Sequence, residues 1–528
     1  MKMKLKRNGT LVEVTLTAEQ EAICEAALSR SESLIVNAMA GCAKTSTLEM
    51  LASTLPVQPS LALAFNKKIK LEMEARFPGH FEVKTMNGLG HGAWMKTIGK
   101  RLTLDEKKMG NLLKNFLDKE KFDLPRDEFG NVLQLVRKAR AAGLVTDAVL
   151  RFKPKAILPD TPEAWQNVAD SIMLDLTEEH IYVARSVLTQ SVFSAYQGLV
   201  DFDDQIYMSA LFGGQFPRFP LVVVDEAQDL SPLNHLQVKL VAADRLAVCG
   251  DPRQAIYAFR GADSRSMGAL QSLRKDWLEF PLSLTFRCPA AVVDRQQRHA
   301  PGFTAADAAP KGQVLNWTEE EWSIQKVDEQ TPVGAQVAII CRNNAPVIAA
   351  ALRIIRKGIG VTVLGGEIGK SLVALVKKIV PKTANLEESA EAIKLWLDKE
   401  ATLARVNGKE DRIPLLEDKA QCLLAVLADL ELQVHPDAAP AAAQLIGKFD
   451  QMFASSSTRF ILCTGHKSKG LEWHTVIHLD PWRLPSKWAR AAQVAGNPVP
   501  MEQELNLQYV IETRTQDTLI LANLEQMK

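Results

Sequence analysis

The sequence predicts an α/β chain built on two parallel sheets, each interrupted by a mostly helical insertion. Three observations carry this. Apolar runs of strand length alternate with stretches of helical periodicity, the pattern of parallel strands joined by crossover helices. Such runs are missing from two long stretches, roughly 100–195 and 367–454, where amphipathic helical patterns dominate. The ends of the predicted strands also carry chemistry: small residues and Lys44-Thr45 after one, Asp225-Glu226 after another. Ligands of parallel sheets bind at those carboxyl ends.

The 528 residues are 47% apolar and 24% charged, with a formal net charge of +1. That is a globular composition, long enough for two to four domains. Near-neutrality excludes a uniformly basic surface, so any nucleic-acid contact must be local. The seven cysteines show no CxxC pair and no zinc-site spacing, and read as reduced thiols. The opening MKMKLKRNGTLVEV lacks the apolar stretch of a signal peptide, and no run approaches transmembrane length. A soluble, cytoplasmic protein with no membrane partner is expected.

In chain order, LTAEQEAICEAAL begins with Thr17 as an N-cap and places Gln20 in the first turn of a helix. Leu34-Ile35-Val36 reads as a buried strand, followed by a small-residue loop from Ala38 to Ala43 and a helix opened by Lys44, Thr45 and Ser46. This is the context of a phosphate-binding loop. The backbone around Ala40, Gly41, Cys42 and Ala43 would wrap phosphates, Lys44 would reach the outer ones, and the Thr45 hydroxyl would hold Mg²⁺. The full GxxxxGK[ST] pattern is not met, because Ala38 and Ala43 stand where glycine is expected. If position 43 needs a positive φ, the methyl costs about 1–2 kcal/mol. On this stretch alone, a small-residue turn without a ligand stays open.

PSLALAFN reads as a second strand, with a charged helix over Lys67 to Arg76, and FEVKT as a third, running into a turn at NGLGHGAW. Within the first helical stretch, Arg137, Lys138 and Arg140 could touch duplex, but such a charge run on a helix is usually a solvated face. Strands resume with FPLVVVDEAQDLSP and DRLAVCGDPRQAIYAFRG, and again with QVAIICRNNAP, IGVTVLGG, RFILCTG, HTVIHLD and DTLILAN. The acidic pair at a strand end divides naturally: Asp225 for Mg²⁺, Glu226 to orient and deprotonate an attacking water.

The segments VVVDEAQDLSP, GDPRQAIYAFRGAD, LTFRCP, CTGHKSKGLEWHTVI and ELNLQYVIETRT occur in that order. Together they resemble the motif series of superfamily-1 helicases of the UvrD/Rep type. AFNKKIKLEMEARFP, KTMNGLGHGAW and the Asn-Leu-x-Tyr-Val form of the last motif resemble the F-box DNA helicase branch and its phage relatives, without an F-box ahead of Gln20.

The resemblance implies two RecA-like parallel-sheet motor domains. The first would comprise 1–95 and 196–280, with a helical insertion at 96–195; the second would comprise 281–366 and 455–528, with a helical insertion at 367–454. It implies ATP and Mg²⁺ as cofactors and single-stranded DNA and its junctions with duplex as partners, in a monomer that meets replication or recombination proteins. Gln20 would read the adenine edge and Phe286 stack on its ring. Gln254 would sense the γ-phosphate, and Arg287 and Arg514 would act as arginine fingers. Gly470 and Glu472 would lie at the ribose. DNA would be met by Phe65, Asn66, Thr85, Asn87, Tyr257, Phe259, Arg260, Thr464 and His466; core packing is the competing account for the aromatics. The implied activity is ATP-driven translocation and unwinding, 3′ to 5′. Two other readings remain: a translocase that strips proteins with little unwinding, and a non-hydrolysing DNA-binding module whose phosphate loop has lost its glycines.

Overall fold

Buried aliphatic runs form the centres of two six-stranded sheets, as the alternating pattern predicted. The structure, a computed structural model, describes residues 2–7, 10–125, 128–170, 174, 176–256, 266–406, 412–432, 439–453 and 458–528. The chain divides into two units, Met1–Ser283 and Leu284–Lys528.

In the first unit the strands lie in the order Trp277–Leu282, Ser33–Ala38, Ala242–Gly250, Phe219–Val224, Ser60–Ala64, Phe81–Thr85. Every neighbouring pair is parallel. Val222, Val223 and Val224 are all fully buried, which is why this strand is a continuous apolar run and not an alternating one. The order puts Ala242–Gly250 between the strand of the phosphate loop and the strand that ends in Asp225. Three adjacent carboxyl ends therefore deliver Lys44-Thr45, Asp251 and Asp225-Glu226 to one edge.

A helical layer includes Met86–Ile98, Lys108–Glu120, Glu128–Ala141, Pro162–Asp170, Glu178–Tyr196 and Phe202–Leu211, around a core that contains Trp94, Leu135, Trp165, Val187 and Met208. Two expectations are corrected here. NGLGHGAW is not a turn but lies in the helix Met86–Ile98, capped by the Thr85 hydroxyl, which accepts from the Gly88 N–H. Of its glycines, Gly90 serves packing: a Cβ there would collide with the Gln205 carbonyl oxygen of the facing helix, whereas one on Gly92 would meet nothing within 4 Å. The basic run is not simply a solvated face either. Arg140 is buried and donates to both carboxylate oxygens of Asp201 at 2.9 Å and to Asp204 at 2.9 Å. Lys108, also buried, donates to Asp204 at 2.6 Å. These acids lie at the start of the helix Phe202–Leu211, and Asp201 is its N-cap. Arg140 and the caps close the helical layer together.

The basic N-terminus forms an antiparallel hairpin, Lys2–Arg7 with Thr10–Thr15. Leu5 is buried there against Cys24 and Met50. Lysines at every second position alternate with Met3 and Leu5, which is the period of a half-buried strand.

The second unit orders its strands Gln313–Trp317, Thr515–Ala522, Trp473–Leu479, Val337–Cys341, Phe460–Thr464, Val361–Val363. These too are all parallel. The helices Gly366–Ile379, Leu386–Val406, Ile413–Glu431 and Ala441–Met452 share a core with Ala345, Ile348 and Leu352 of the helix Asn344–Arg356. Asp418 of that layer accepts from the backbone N–H groups of Asn344 and Ala345 at 3.1 and 2.9 Å. It thereby supplies an anionic cap to a helix start whose own N-cap residue, Asn343, makes no side-chain capping bond. Among the described residues, no helix is long and apolar enough to cross a membrane.

Candidate nucleotide site and its surroundings

The loop after Ser33–Ala38 turns through two left-handed residues, Gly41 at φ 72° and Ala43 at φ 56°. Ala43 therefore occupies the strained conformation that glycine would take at no steric cost. The helix Lys44–Thr54 starts immediately after it. The Thr45 hydroxyl donates to Asp225 Oδ2 at 2.7 Å, and Lys44 Nζ lies 3.6 Å from Glu226 Oε1. Glu226 is itself left-handed at φ 52°. Its other oxygen accepts from Gln228 Nε2 at 2.6 Å.

Gln228 was not singled out from the sequence, yet it joins two strand ends. Its amide oxygen accepts from the Asp251 N–H at 3.0 Å, and Asp251 Oδ2 accepts from Gln254 Nε2 at 2.6 Å. A Cβ on Gly250 would stand 2.6 Å from the Gln228 amide oxygen, so a glycine is what allows this approach. Asp251 could have been found by the rule that found Asp225, since both are acids at the carboxyl ends of buried strands.

Three carboxylates thus surround one ammonium. Burial, reinforced by Glu226, pushes Asp225 up to about 6, and burial also raises Asp251. Burial opposes charge on Lys44, but Glu226, Asp251 and Asp225 outweigh it and hold the lysine above its ordinary value. Such an excess of buried acid is the environment a divalent cation relieves. Thr45 and Asp225 fit Mg²⁺ as the hydroxyl and carboxylate of a phosphate-loop site. Among the described residues, no group of three His, Cys, Asp or Glu side chains forms a protein-only metal cage, and a cation shared with phosphates needs none.

Gln20 is buried and oriented from two sides: its amide oxygen accepts from the Thr17 N–H at 3.1 Å, and its Nε2 donates to Thr47 at 3.0 Å. Arg76, the last residue of the helix Lys67–Arg76, reaches the phosphate-loop helix. It donates to Ser46 Oγ at 2.6 Å and to the buried Glu49 carboxylate at 2.8 Å. Sequence reading gave no sign of this link, because the partners are 27 to 30 residues apart.

In the second unit, Arg287 pairs with Glu472, which also accepts from Gln516 at 3.1 Å. Phe286 is 56% exposed, with its ring available for stacking. Arg514 is buried and donates to the Val510 and Leu471 carbonyls at 2.8 and 3.3 Å. Gly470 has φ 82°. Near Arg514, Glu512 is fully buried and accepts from Arg295 at 2.8 Å and from Gln508 at 3.1 Å, with His478 Nδ1 at 3.2 Å. Burial alone would raise this carboxyl, but His478 and Arg295 outweigh it and hold it at about 2.

The residues expected at DNA are variously placed. Phe65 is 40% exposed, and Asn66 and Thr85 are N-caps of successive helices. Asn87 donates to the Phe202 carbonyl at 2.7 Å. Thr464 ends a strand and is buried, with His466 in the short helix Gly465–Ser468 after it. Tyr257, Phe259 and Arg260 lie outside the described residues.

Residues 16–275 match the family model of the UvrD/REP helicase N-terminal domain. That segment, about the first half of the chain, is therefore similar to the first domain of UvrD/Rep-type helicases. It is 24% identical over 530 residues to F-box DNA helicase protein 1 of Schizosaccharomyces pombe, covering 96% of this chain and 57% of that one. F-box DNA helicase 1 of Gallus gallus is 23% identical over 540 residues, 98% of this chain and 50% of its own. ATP-dependent DNA helicase UvrD2 of Mycobacterium tuberculosis is 28% identical over 387 residues, covering 63% of this chain and 54% of that one. The chain therefore spans about half the length of these relatives.

Proposed function

We propose that this protein is an ATP-driven motor on single-stranded DNA that moves 3′ to 5′ and unwinds duplex. The observation that carries this is the set Lys44, Thr45, Asp225, Glu226 and Gln254, gathered at adjacent carboxyl ends of one sheet. Lys44 exchanges Glu226 for the outer phosphates when nucleotide enters. Glu226, held by Gln228, then positions the attacking water and accepts its proton. Bound at Thr45 and Asp225, Mg²⁺ supplies positive charge against the phosphate oxygens. Gln20 and Phe286 take the adenine, while Arg287 and Arg514 stabilise the charge on the transferring phosphoryl group. Alternating affinity for ATP and its products opens and closes the motor, which steps the strand.

The test is ATP turnover with Mg²⁺, with and without single-stranded DNA, in the wild type and in Lys44→Ala. Many-fold stimulation by DNA, abolished in the variant, is expected. Turnover indifferent to polynucleotide would overturn the motor reading, and none at all would favour a binding module with an inactive phosphate loop. Strand displacement on 3′- and 5′-tailed duplexes then reports polarity and separates unwinding from protein stripping.

A further inference from the structure

The second unit carries an exposed aromatic and basic surface outside every motif discussed above. We propose that the segment 481–494 is an additional binding site for single-stranded nucleic acid, with Trp482 and Trp488 as stacking platforms and Lys487 and Arg490 as phosphate contacts. Trp482 is 59% exposed and Trp488 39%, unusual for a side chain that is highly buried on average. The Arg483 guanidinium lies 4.5 Å from the Trp482 ring centroid, which braces the indole by a cation–π contact.

Charge points to the occupant. From residue 481 to 501 the chain has Arg483, Lys487 and Arg490 and no Asp or Glu, in a protein whose formal net charge is only +1. Asp480, just before the segment, is buried and engaged: it accepts from Arg483 Nε and from the Leu524 N–H, both at 2.8 Å. Lys487 and Arg490 are exposed on the helix Lys487–Val494. Cations beside open indole faces match a polyanion whose bases are unstacked, which is single-stranded and not duplex nucleic acid.

The scaffold is anchored, so these groups need little ordering on binding. Ser486 caps the helix, its own N–H donates to Glu504 at 3.0 Å, and Glu504 is held by Arg342 at 2.7 Å. Ala489 is buried. The segment also leaves the sheet at the carboxyl end of Trp473–Leu479, the edge from which Thr464 and His466 emerge on a parallel strand. A nucleic-acid strand passing those residues would run along the sheet edge from which this segment emerges.

The inference rests on the functional reading only in taking nucleic acid as a substrate. Its test is the affinity of the full chain for fluorescent oligo(dT), without nucleotide and across a salt series. The variants are Trp482→Ala, Trp488→Ala, the pair together, and Lys487→Glu with Arg490→Glu. About tenfold weaker binding is expected for each single tryptophan variant, the size of one lost stacking contact, and about a hundredfold for the pair. The charge variant should show a shallower salt dependence, and all should retain wild-type ATP turnover without DNA. Photocross-linking of a thiothymidine-substituted oligonucleotide should label 481–494. Binding by all variants within twofold of wild type, with no label there, would overturn this site while leaving the motor reading intact. That result is also what a surface for a protein partner would give. A wild-type chain that binds no oligonucleotide would overturn both.

Discussion

Ala43 shows how one methyl group tests a structure. Its left-handed backbone carries a strain of about 1–2 kcal/mol, offset in part because glycine there would loosen the unfolded chain by roughly 0.4–1 kcal/mol. Ala43→Gly should therefore raise stability by up to about 1 kcal/mol in chemical denaturation, and tighten nucleotide binding measured by calorimetry. Glu512 makes a separate prediction. Its carboxyl is held at about 2, below the ordinary 4.5, by His478 and Arg295 acting against burial. A depressed carboxyl stabilises the fold above the unfolded value, and that contribution disappears as pH falls from about 4.5 toward 2. Complete loss amounts to roughly 3 kcal/mol. Denaturation at pH 7 and pH 3.5 should show somewhat under half of that loss, about 1.4 kcal/mol, in the wild type and little of it in Glu512→Gln.

At the scale of elements, the helix Lys67–Arg76 follows Phe65 and Asn66 and ends with Arg76 bonded to Ser46 and Glu49 of the phosphate-loop helix. On the proposed function, this is a short rigid path between nucleotide and strand. Arg76→Ala should lower stability by about 3 kcal/mol, because it leaves the buried Glu49 without its guanidinium. It should also reduce stimulation of ATP turnover by oligo(dT), and Arg76→Lys, which keeps charge but not the planar fork, should restore only part of either. Elements like these were unevenly legible. Strands such as Phe219–Val224 were readable because a parallel strand buried on both faces must be continuously apolar. The helix Met86–Ile98 was not, because its glycines signal a turn locally, and only the tertiary structure presses the Gln205 backbone against Gly90. The fate of Arg140 was equally hidden: its acids lie 61 to 64 residues away.

For the whole molecule, the proposed chemistry divides between the two units, with phosphate, metal and water ligands on Met1–Ser283 and both candidate fingers on Leu284–Lys528. Arg287→Ala and Arg514→Ala should each keep nucleotide binding within a few-fold, measured with a fluorescent ATP analogue, while single-turnover hydrolysis falls by about 10³-fold or more. Equal losses in binding and hydrolysis would mean the arginines serve the unit's own structure, where Arg514 already ties Val510 to Leu471.

Local chemistry was enough for the sequence to determine the two sheets, the small-residue loop that leads into Lys44 and Thr45, and the acidic strand end, since strand burial and the strand-to-helix turn are imposed on consecutive residues. Only the tertiary structure decided that Gln228 connects Glu226 to Asp251, that Arg76 fastens two helices, that Ala43 is left-handed, and that two tryptophans face solvent. Each of these depends on which distant backbone comes close, and distance along the chain carries no record of that.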